Sequence, residues 1–556
     1  MVRRLFRFLV LLLALPAPAL AARRDTLHLR PLALELPGPP ASLLSADLNG
    51  DGRKDLVVFL VYGAWISIGE DRMEGLVYVT EVVPSLIDRR EIRVWLAGAG
   101  GTYTPAAAPL PLPTTVIAAE AGPPGAPVLL LTDDGLAALR LDPASRALRI
   151  DPLVADPPAA AGAATFLPGK LGIVADVDGD HTVDVVLPAR SGPAIYLGTA
   201  QGIAPSPASR LSLPGDRKSA GRRPSRAYPL PRVEDVDGDH VPDLIVNGTD
   251  GNLRHHLHVL RGLGGGKFAE AAEVDLAAAG VREFPEVHEG KKAEKKEEKK
   301  PAQEDGAREV AWFGDLDGDG RAELVTSEEV DTGKSDMKQA KRPTLRYRFH
   351  HLKDLVPQAP YRTTEVIGHA FDIDDEDFLD IAAFQDLDAD GRKDLVTVTL
   401  DFSMWQIVKI LTTKHLSLGL EFHVYHQGTD GAFTEVKDLD LTEKLKIDLN
   451  DLRIGRFAQF AGDFDGDGRA DFVHLGRGKT VTIHRGQEGA HYPKNPDLSI
   501  PLESAIEDLA QVRVEDLDGD GRADLAISRP GKNEEPGVLP PVTLELYLSG
   551  SEEARP

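Results

Sequence analysis

The stretch DFDGDGRADFVHL, Asp463 to Leu475, crowds four carboxylates into nine residues and then runs straight into an apolar segment. Left alone, Asp463, Asp465, Asp467 and Asp471 disfavour one another's ionisation, because like charges a few Å apart raise each other's pKa. The pattern calls for a cation.

Outward from this point the stretch recurs six times: DLNGDGRKDLVVF from Asp47, DVDGDHTVDVVL from Asp176, DVDGDHVPDLIV from Asp235, DLDGDGRAELVT from Asp315, DLDADGRKDLVTV from Asp386 and DLDGDGRADLAIS from Asp516. Counting the first residue as position 1, positions 1, 3 and 5 carry Asp or Asn and position 9 carries Asp or Glu. The acidic sets are Asp47, Asn49, Asp51 and Asp55; Asp176, Asp178, Asp180 and Asp184; Asp235, Asp237, Asp239 and Asp243; Asp315, Asp317, Asp319 and Glu323; Asp386, Asp388, Asp390 and Asp394; Asp463, Asp465, Asp467 and Asp471; Asp516, Asp518, Asp520 and Asp524. Oxygen ligands at alternating positions around a sharp turn are how a short loop wraps Ca²⁺, which takes six to eight oxygens at about 2.3–2.6 Å. Position 7 is Arg53, Thr182, Val241, Arg321, Arg392, Arg469 or Arg522, a chemically mixed set that predicts a backbone carbonyl as the ligand there. A single acidic loop is as readily a metal-free turn; seven copies sharing four ligand positions favour the metal.

Position 12 decides what kind of calcium loop this is. An EF-hand needs a bidentate Glu there and a helix after it. This chain has Val58, Leu187, Val246, Thr326, Thr397, His474 and Ile527, none of them a ligand, inside short β-branched runs. Each loop therefore joins two strands, and position 9 supplies the last carboxylate.

Successive first ligands lie 129, 59, 80, 71, 77 and 53 residues apart, near the length of one propeller blade plus insertions. Downstream of the loops a strand and a Gly-containing turn recur, as in VWLAGAGGTYT (Val94 to Thr104), IYLGTAQG (Ile195 to Gly202) and HVLRGLGGGKF (His258 to Phe268). The unit reads strand, acidic loop, strand, connection, strand, turn, which is a blade of antiparallel sheet. Inside the widest gap, Ala126 to Ile150 carries two strand-like runs around Asp133, Asp134 and Gly135 without the ligand series. It reads as a blade lacking its metal, giving an all-β, eight-bladed propeller of four-stranded blades; the alternative is seven blades with a long insertion. The last unit is one strand short after Gly550, and the alternating segment Thr26 to Leu36 is expected to complete it and close the ring.

These units resemble the FG-GAP and VCBS repeats of the integrin α-chain propeller family, over most of the chain. The resemblance implies structural Ca²⁺ within the blades, held by the carboxylates above, on the face opposite the one that binds ligands. It departs at Asn49, at Ala389 in place of the mid-loop Gly, and at His181 and His240 in place of the second Gly.

The 556-residue chain has a net charge of −25, which argues against a nucleic-acid groove and suits a holder of cations. Its start, MVRRLFRFLVLLLALPAPALA, reads as a signal peptide spanning residues 1–21, with residues 22–556 forming one domain. Export to the periplasm or outside is thus expected. No cysteine is present, so disulfides do not contribute to stability there. Residues 285–306 form a mixed-charge tract expected to be solvated, Gly215 to Arg226 a basic surface loop, and Ser403 to His426 an apolar insertion expected to be a helix or hairpin on the rim.

Signatures of catalysis fail. His288 and Glu289 begin HExxH, but Lys292 stands where the second His belongs; Gly476 to Thr480 mimics the end of a P-loop whose first Gly is replaced by Val473. His255, His256 and His258 lack a carboxylate pattern and are expected to face solvent. The expected role is a secreted, calcium-binding, monomeric module for adhesion, binding or scaffolding with a protein or glycan ligand and no membrane span. The competing class is an extracytoplasmic enzyme, such as a polysaccharide lyase, on the same propeller.

Overall fold

The computed structural model describes residues 27–550 apart from 39, 63–88, 107, 123–125, 159–171, 190–191, 213–216, 219–225, 228–230, 250–254, 282–307, 331–341, 370–382, 402–414, 437–441, 449–457, 477–478, 504–511 and 531–540. The expected signal segment, the Lys-rich tract and His288 with Glu289 lie outside the described residues.

The chain forms eight antiparallel blades in chain order, and among the described residues the helical content is one 3₁₀ turn, Leu276–Ala279. Blade 1 comprises Pro40–Ala46, Asp55–Tyr62, Arg89–Gly98 and Thr102–Pro105. Blade 2 is Val116–Ala121, Val128–Thr132, Gly135–Leu141 and Leu148–Val154. Blade 7 is Ala458–Phe460, Phe472–Gly476, Thr480–His484 and Leu498–Pro501. In blades 1, 5 and 6 the fourth position is filled by two pieces of chain that pair with different ends of one long third strand; in blade 6, Phe433–Glu435 and Thr442–Asp448 both pair with His415–Gln427.

Why the second strands read as unbroken apolar runs is explained by what covers them. Leu56, Val57, Val58, Phe59 and Leu60 are all fully buried. Leu56, Val58 and Leu60 pack with Leu544, Leu546 and Leu548 of blade 8, whereas Val57 and Phe59 pack with Val128 and Leu130 of blade 2. Each blade is thus buried on both faces, and eight apolar clusters fill the eight interfaces between neighbours. Truncating one such ring, as in Phe59→Ala, removes contacts on the scale of about 3–5 kcal/mol.

The ring closes as the sequence predicts. Residues His28–Leu36 pair antiparallel with Val542–Gly550 over nine positions, from His28 opposite Gly550 to Leu36 opposite Val542. They form the outermost strand of blade 8, beside Val542–Gly550, Asp524–Pro530 and Val512–Glu515. Two expectations need correction. The stretch Ser403 to His426, expected as an insertion on the rim, lies outside the described residues up to 414, and its remainder belongs to His415–Gln427, the third strand of blade 6, where Leu420, Phe422 and Val424 alternate with the period of a strand, not a helix. The histidine cluster does not simply face solvent, since His258 is buried and His256 is half-buried with Nδ1 2.8 Å from Glu273 Oε1.

Candidate metal centres

All seven acidic loops join the first strand of a blade to its second, so they gather on one face of the ring. Their backbone is the same in each. Positions 4 and 6 have positive φ in every copy, including the non-glycine residues Ala389 (60°), His181 (65°) and His240 (66°). An L-residue pays about 1–2 kcal/mol for that conformation, so the loop geometry overrides local preference at those three positions.

Blade 7 shows how the carboxylates shape the turn. Asp463 accepts backbone N–H bonds from Gly466 and Gly468, both at 2.6 Å, and Asp467 accepts from Arg469 N at 3.0 Å. Asp471 is fully buried and accepts two bonds, from Phe464 N at 2.8 Å and from Gly486 N at 2.9 Å. It therefore clips the start of the loop to the chain two residues past the third strand. The same pair of bonds recurs at Asp55 (Leu48 N, Ala97 N), Asp184 (Val177 N, Gly198 N), Asp243 (Val236 N, Gly262 N), Asp394 (Leu387 N, Gln427 N) and Asp524 (Leu517 N, Ser549 N). Glu323, one methylene longer, accepts from Leu316 N and meets His351 Nδ1 at 3.3 Å instead of a second N–H.

Burial makes these position 9 groups reluctant to ionise. It pushes Asp471 and Asp524 up to about 7, Asp55 up to about 6 and Glu323 up to about 8, with the backbone donors pulling down and neighbouring loop carboxylates pushing further up. Asp184 and Asp243 rise for the same reason.

Position 3 carries the signature of a missing partner. Asp178 Oδ1, Asp237 Oδ1, Asp388 Oδ1 and Asp465 Oδ1 are buried, and no hydrogen-bond donor meets them among the described residues. An unsatisfied buried polar atom costs about 1–3 kcal/mol, more if charged. Four of seven loops leave the same atom in that state. Positions 1, 3 and 5 bring their oxygens within 4.8 Å of one another at Asp176, Asp178 and Asp180, at Asp235, Asp237 and Asp239, and at Asp386, Asp388 and Asp390; Asp315, Asp317 and Glu323 form a like group. An all-oxygen donor set of this kind fits a hard divalent cation.

Some contacts had no signal in the sequence. The position 7 side chain is not idle: Arg469 Nη1 pairs with Asp467 Oδ2 at 2.7 Å, and Arg53 and Arg392 fold onto Asp51 and Asp390 in the same way. Neighbouring loops are also tied together. Ala322 N donates to Val236 O, Lys393 N to Leu316 O, Ala470 N to Leu387 O, Ala523 N to Asp463 O and Lys54 N to Asp518 O. This belt runs from blade 4 round to blade 1. Pro242, at the corresponding position of blade 4, has no N–H to extend it to blade 3. Between the loops of blades 4 and 5 lies a cavity of about 340 Å³ whose lining includes Asp237, Arg261, Asp319 and Glu323.

Residues 463–527 match the FG-GAP-like repeat model, a span that begins at the first ligand of the blade 7 loop and takes in the whole of the blade 8 loop. The chain carries an FG-GAP-like repeat. The other five loops repeat its residue pattern and backbone, and no special kinship with integrin chains accompanies the match. No curated protein matches the chain in sequence. Similar solved structures include a 6-phosphogluconolactonase candidate from Bacteroides uniformis, 12% identical over 74% of this chain and 93% of that one, TM-score 0.29. The Photorhabdus luminescens Tc holotoxin pore is 12% identical over 92% of this chain and 19% of that one, TM-score 0.28. The WD40 domain of SCAP from fission yeast is 11% identical over 82% of this chain and 96% of that one, TM-score 0.24. Likeness at this level leaves the function to the chain's own geometry.

Proposed function

We propose that this FG-GAP repeat propeller is an exported, calcium-stabilised binding or scaffold module whose acidic loops hold structural Ca²⁺ and whose partner, a protein or glycan, meets the opposite face. The observation that carries the calcium reading is the repeated orphan oxygen at position 3, set among carboxylates already fixed by backbone donors. Positions 1, 3, 5 and 9 would supply the side-chain ligands and position 7 a carbonyl. Support for the opposite face comes from the loops themselves: all seven join a first strand to a second on one face of the ring, which leaves the other face free of them. Among the described residues no helix is long and apolar enough to cross a membrane.

Thermal melting with and without chelator tests this. At about 1 mM Ca²⁺ and a dissociation constant near 0.1 mM, each site contributes about 1.4 kcal/mol by linkage, and seven reach about 10 kcal/mol. The expected result is a large fall in Tm with chelator, reversed by excess Ca²⁺. An unchanged melt overturns the calcium reading.

A further inference from the structure

The loops differ in the residue that faces position 9 from the end of the third strand. Extending the strand register by one residue puts Leu96, Leu197 and Leu548 there in blades 1, 3 and 8. In blades 4 and 7 the place is taken by arginines that reach the position 3 carboxylate: Arg261 Nη1 lies 3.5 Å from Asp237 Oδ2, and Arg485 Nη1 lies 3.0 Å from Asp465 Oδ2. Blades 5 and 6 carry His351 and His426.

His426 stands apart from His351. Its Nδ1 lies 3.0 Å from Asp394 Oδ1 and 3.7 Å from Asp388 Oδ2, so one imidazole nitrogen meets the position 3 and position 9 carboxylates together. His351 meets Glu323 at 3.3 Å, but its ring is stacked on Tyr361 at 4.1 Å and its side chain is 53% exposed. We propose that the blade 6 loop is a mixed nitrogen and oxygen site in which Asp388, Asp394 and His426 take a first-row transition ion, with Zn²⁺ the best fit, in preference to Ca²⁺. The inference rests on reading these loops as metal loops and sets one of them apart from the rest.

Ligand chemistry points this way. Ca²⁺ is bound by oxygens, whereas imidazole suits Zn²⁺, Cu²⁺ and Ni²⁺. Zn²⁺ takes nitrogen and carboxylate oxygen at about 2.0–2.2 Å in a tetrahedron, which puts two of its donors about 3.4 Å apart. The distances of 3.0 and 3.7 Å from His426 Nδ1 bracket that value. A second, independent observation is Asp388 itself: it is 7% exposed, and its Oδ1 has no hydrogen-bond partner among the described residues. Its other oxygen accepts a 2.7 Å bond from Gly489 N of blade 7, the kind of outer contact that fixes a ligand's orientation. Asp388, Asp394 and His426 offer ligand atoms within 4.8 Å of one another, and Asp386 and Asp390 bring oxygens equally close to Asp388. The plain alternative, in which His426 only donates a hydrogen bond to Asp394 and the loop holds Ca²⁺, is what the experiment must exclude.

The test uses the full chain, stripped with chelator and returned to excess Ca²⁺, then titrated with Zn²⁺ by calorimetry and with Co²⁺ by visible absorbance. The expected result is uptake of one ion in the presence of Ca²⁺, weakened at least about tenfold in His426→Ala and in His426→Gln, which retains a donor to Asp394, and unaltered in His256→Ala. Uptake unaffected by both His426 variants, or no uptake at all while melting remains chelator-sensitive, overturns the inference and leaves the calcium reading in place. Chelator-insensitive melting with Zn²⁺ uptake that still depends on His426 overturns the calcium reading alone.

Discussion

Blades 2 and 7 have the same order of four antiparallel strands and differ in how the first strand turns into the second. In blade 7 the chain makes the acidic loop, and Asp471 stands at the head of the second strand, fully buried. In blade 2 only residues 122–127 separate Ala121 from Val128, and Val128 heads the strand, also fully buried. A blade therefore does not need the carboxylate. The long loop does, because its entry N–H at Phe464 and the N–H of Gly486 find their acceptors on Asp471. Blade 2 has no loop of this kind to tie into the belt, and its buried Glu120 instead reaches Ile173 N at the entry to blade 3, at 3.1 Å. The same scaffold thus tolerates a short connection or a demanding acidic loop, and the chain adopts the acidic loop seven times.

Asp471→Val gives blade 7 the residue that blade 2 uses and leaves two donors without acceptors. At about 1–3 kcal/mol for each buried orphan, the loss is about 4 kcal/mol, measured by chemical denaturation with chelator present so that no metal ligand is lost. Asp471→Asn, which still accepts one bond, should lose roughly half as much. A valine variant as stable as the parent would show that the carboxylate is not the clip.

pH sharpens the same contrast. Asp471 and Asp524 have pKa values near 7 and Asp55 near 6 in the folded, metal-free chain, against 3.8 in the unfolded one. The folded state therefore binds more protons between those values, and stability in chelator falls as pH rises from about 4 to about 7. Blade 2 has Val128 in place of this group, and Asp471→Val should flatten the slope by one carboxylate's share. Glu328 works in the opposite sense and in another window. Hydrogen bonds from Arg348, Arg308 and Arg346 hold it down to about 2, so its contribution is present above its ordinary 4.5 and lost as pH falls toward 2. A metal-free stability that rose steadily from pH 4 to 7 would contradict the assignment of the position 9 groups.

Much of this was legible in the sequence, for physical reasons. The seven loops, the eighth blade at Ala126 to Ile150 and the closing strand all rest on local pattern: ligand spacing, apolar runs and the alternation of Thr26 to Leu36. The partners of His426, Arg485 and Lys54 were not legible, because they depend on register across strands or between blades. Arg485 reaches back 20 residues to Asp465, and Lys54 Nζ crosses 462 positions to Asp516 Oδ2 at 2.9 Å. The misreading of His415–Gln427 has another source: its apolar content suggested a helix or hairpin, whereas buried Leu420, Phe422 and Val424 alternate with Glu421 and His423 in the period of a strand.

Lys54 offers a smaller test, at the seam where the belt joins the last blade to the first. Its Nζ donates to Asp516 O at 3.0 Å as well as to the Asp516 carboxylate, while its backbone N–H holds Asp518 O. Lys54→Met keeps the stem and the backbone bond and removes the charge. Both side chains are about a quarter exposed, so the expected loss is about 1 kcal/mol or less, read as a lower denaturation midpoint. A much larger loss would mean that the Lys54 ammonium, more than the backbone bond beside it, holds the seam between the last blade and the first.

The smallest expected effect compares blade 6 with blade 7 at loop position 4. Ala389 sits at φ 60°, where Gly466 of blade 7 has φ 78°. Glycine adopts this conformation without steric cost, while alanine pays about 1–2 kcal/mol for it. Against that gain, a glycine loses more freedom on folding, by about 0.4–1 kcal/mol. Ala389→Gly should therefore stabilise the chain by about 0.5 kcal/mol, in contrast to the usual loss on introducing glycine. The reciprocal change in blade 7, Gly466→Ala, adds the strain and also brings a methyl to 3.2 Å from Arg522 Nε of blade 8, so it should cost about 1 kcal/mol or more. Denaturation midpoints of the two variants, measured in the same calcium concentration, should move in opposite directions. If Ala389→Gly is instead destabilising, the blade 6 turn does not share the left-handed geometry of its neighbours, and the equivalence of the seven loops fails at the one whose metal is proposed to differ.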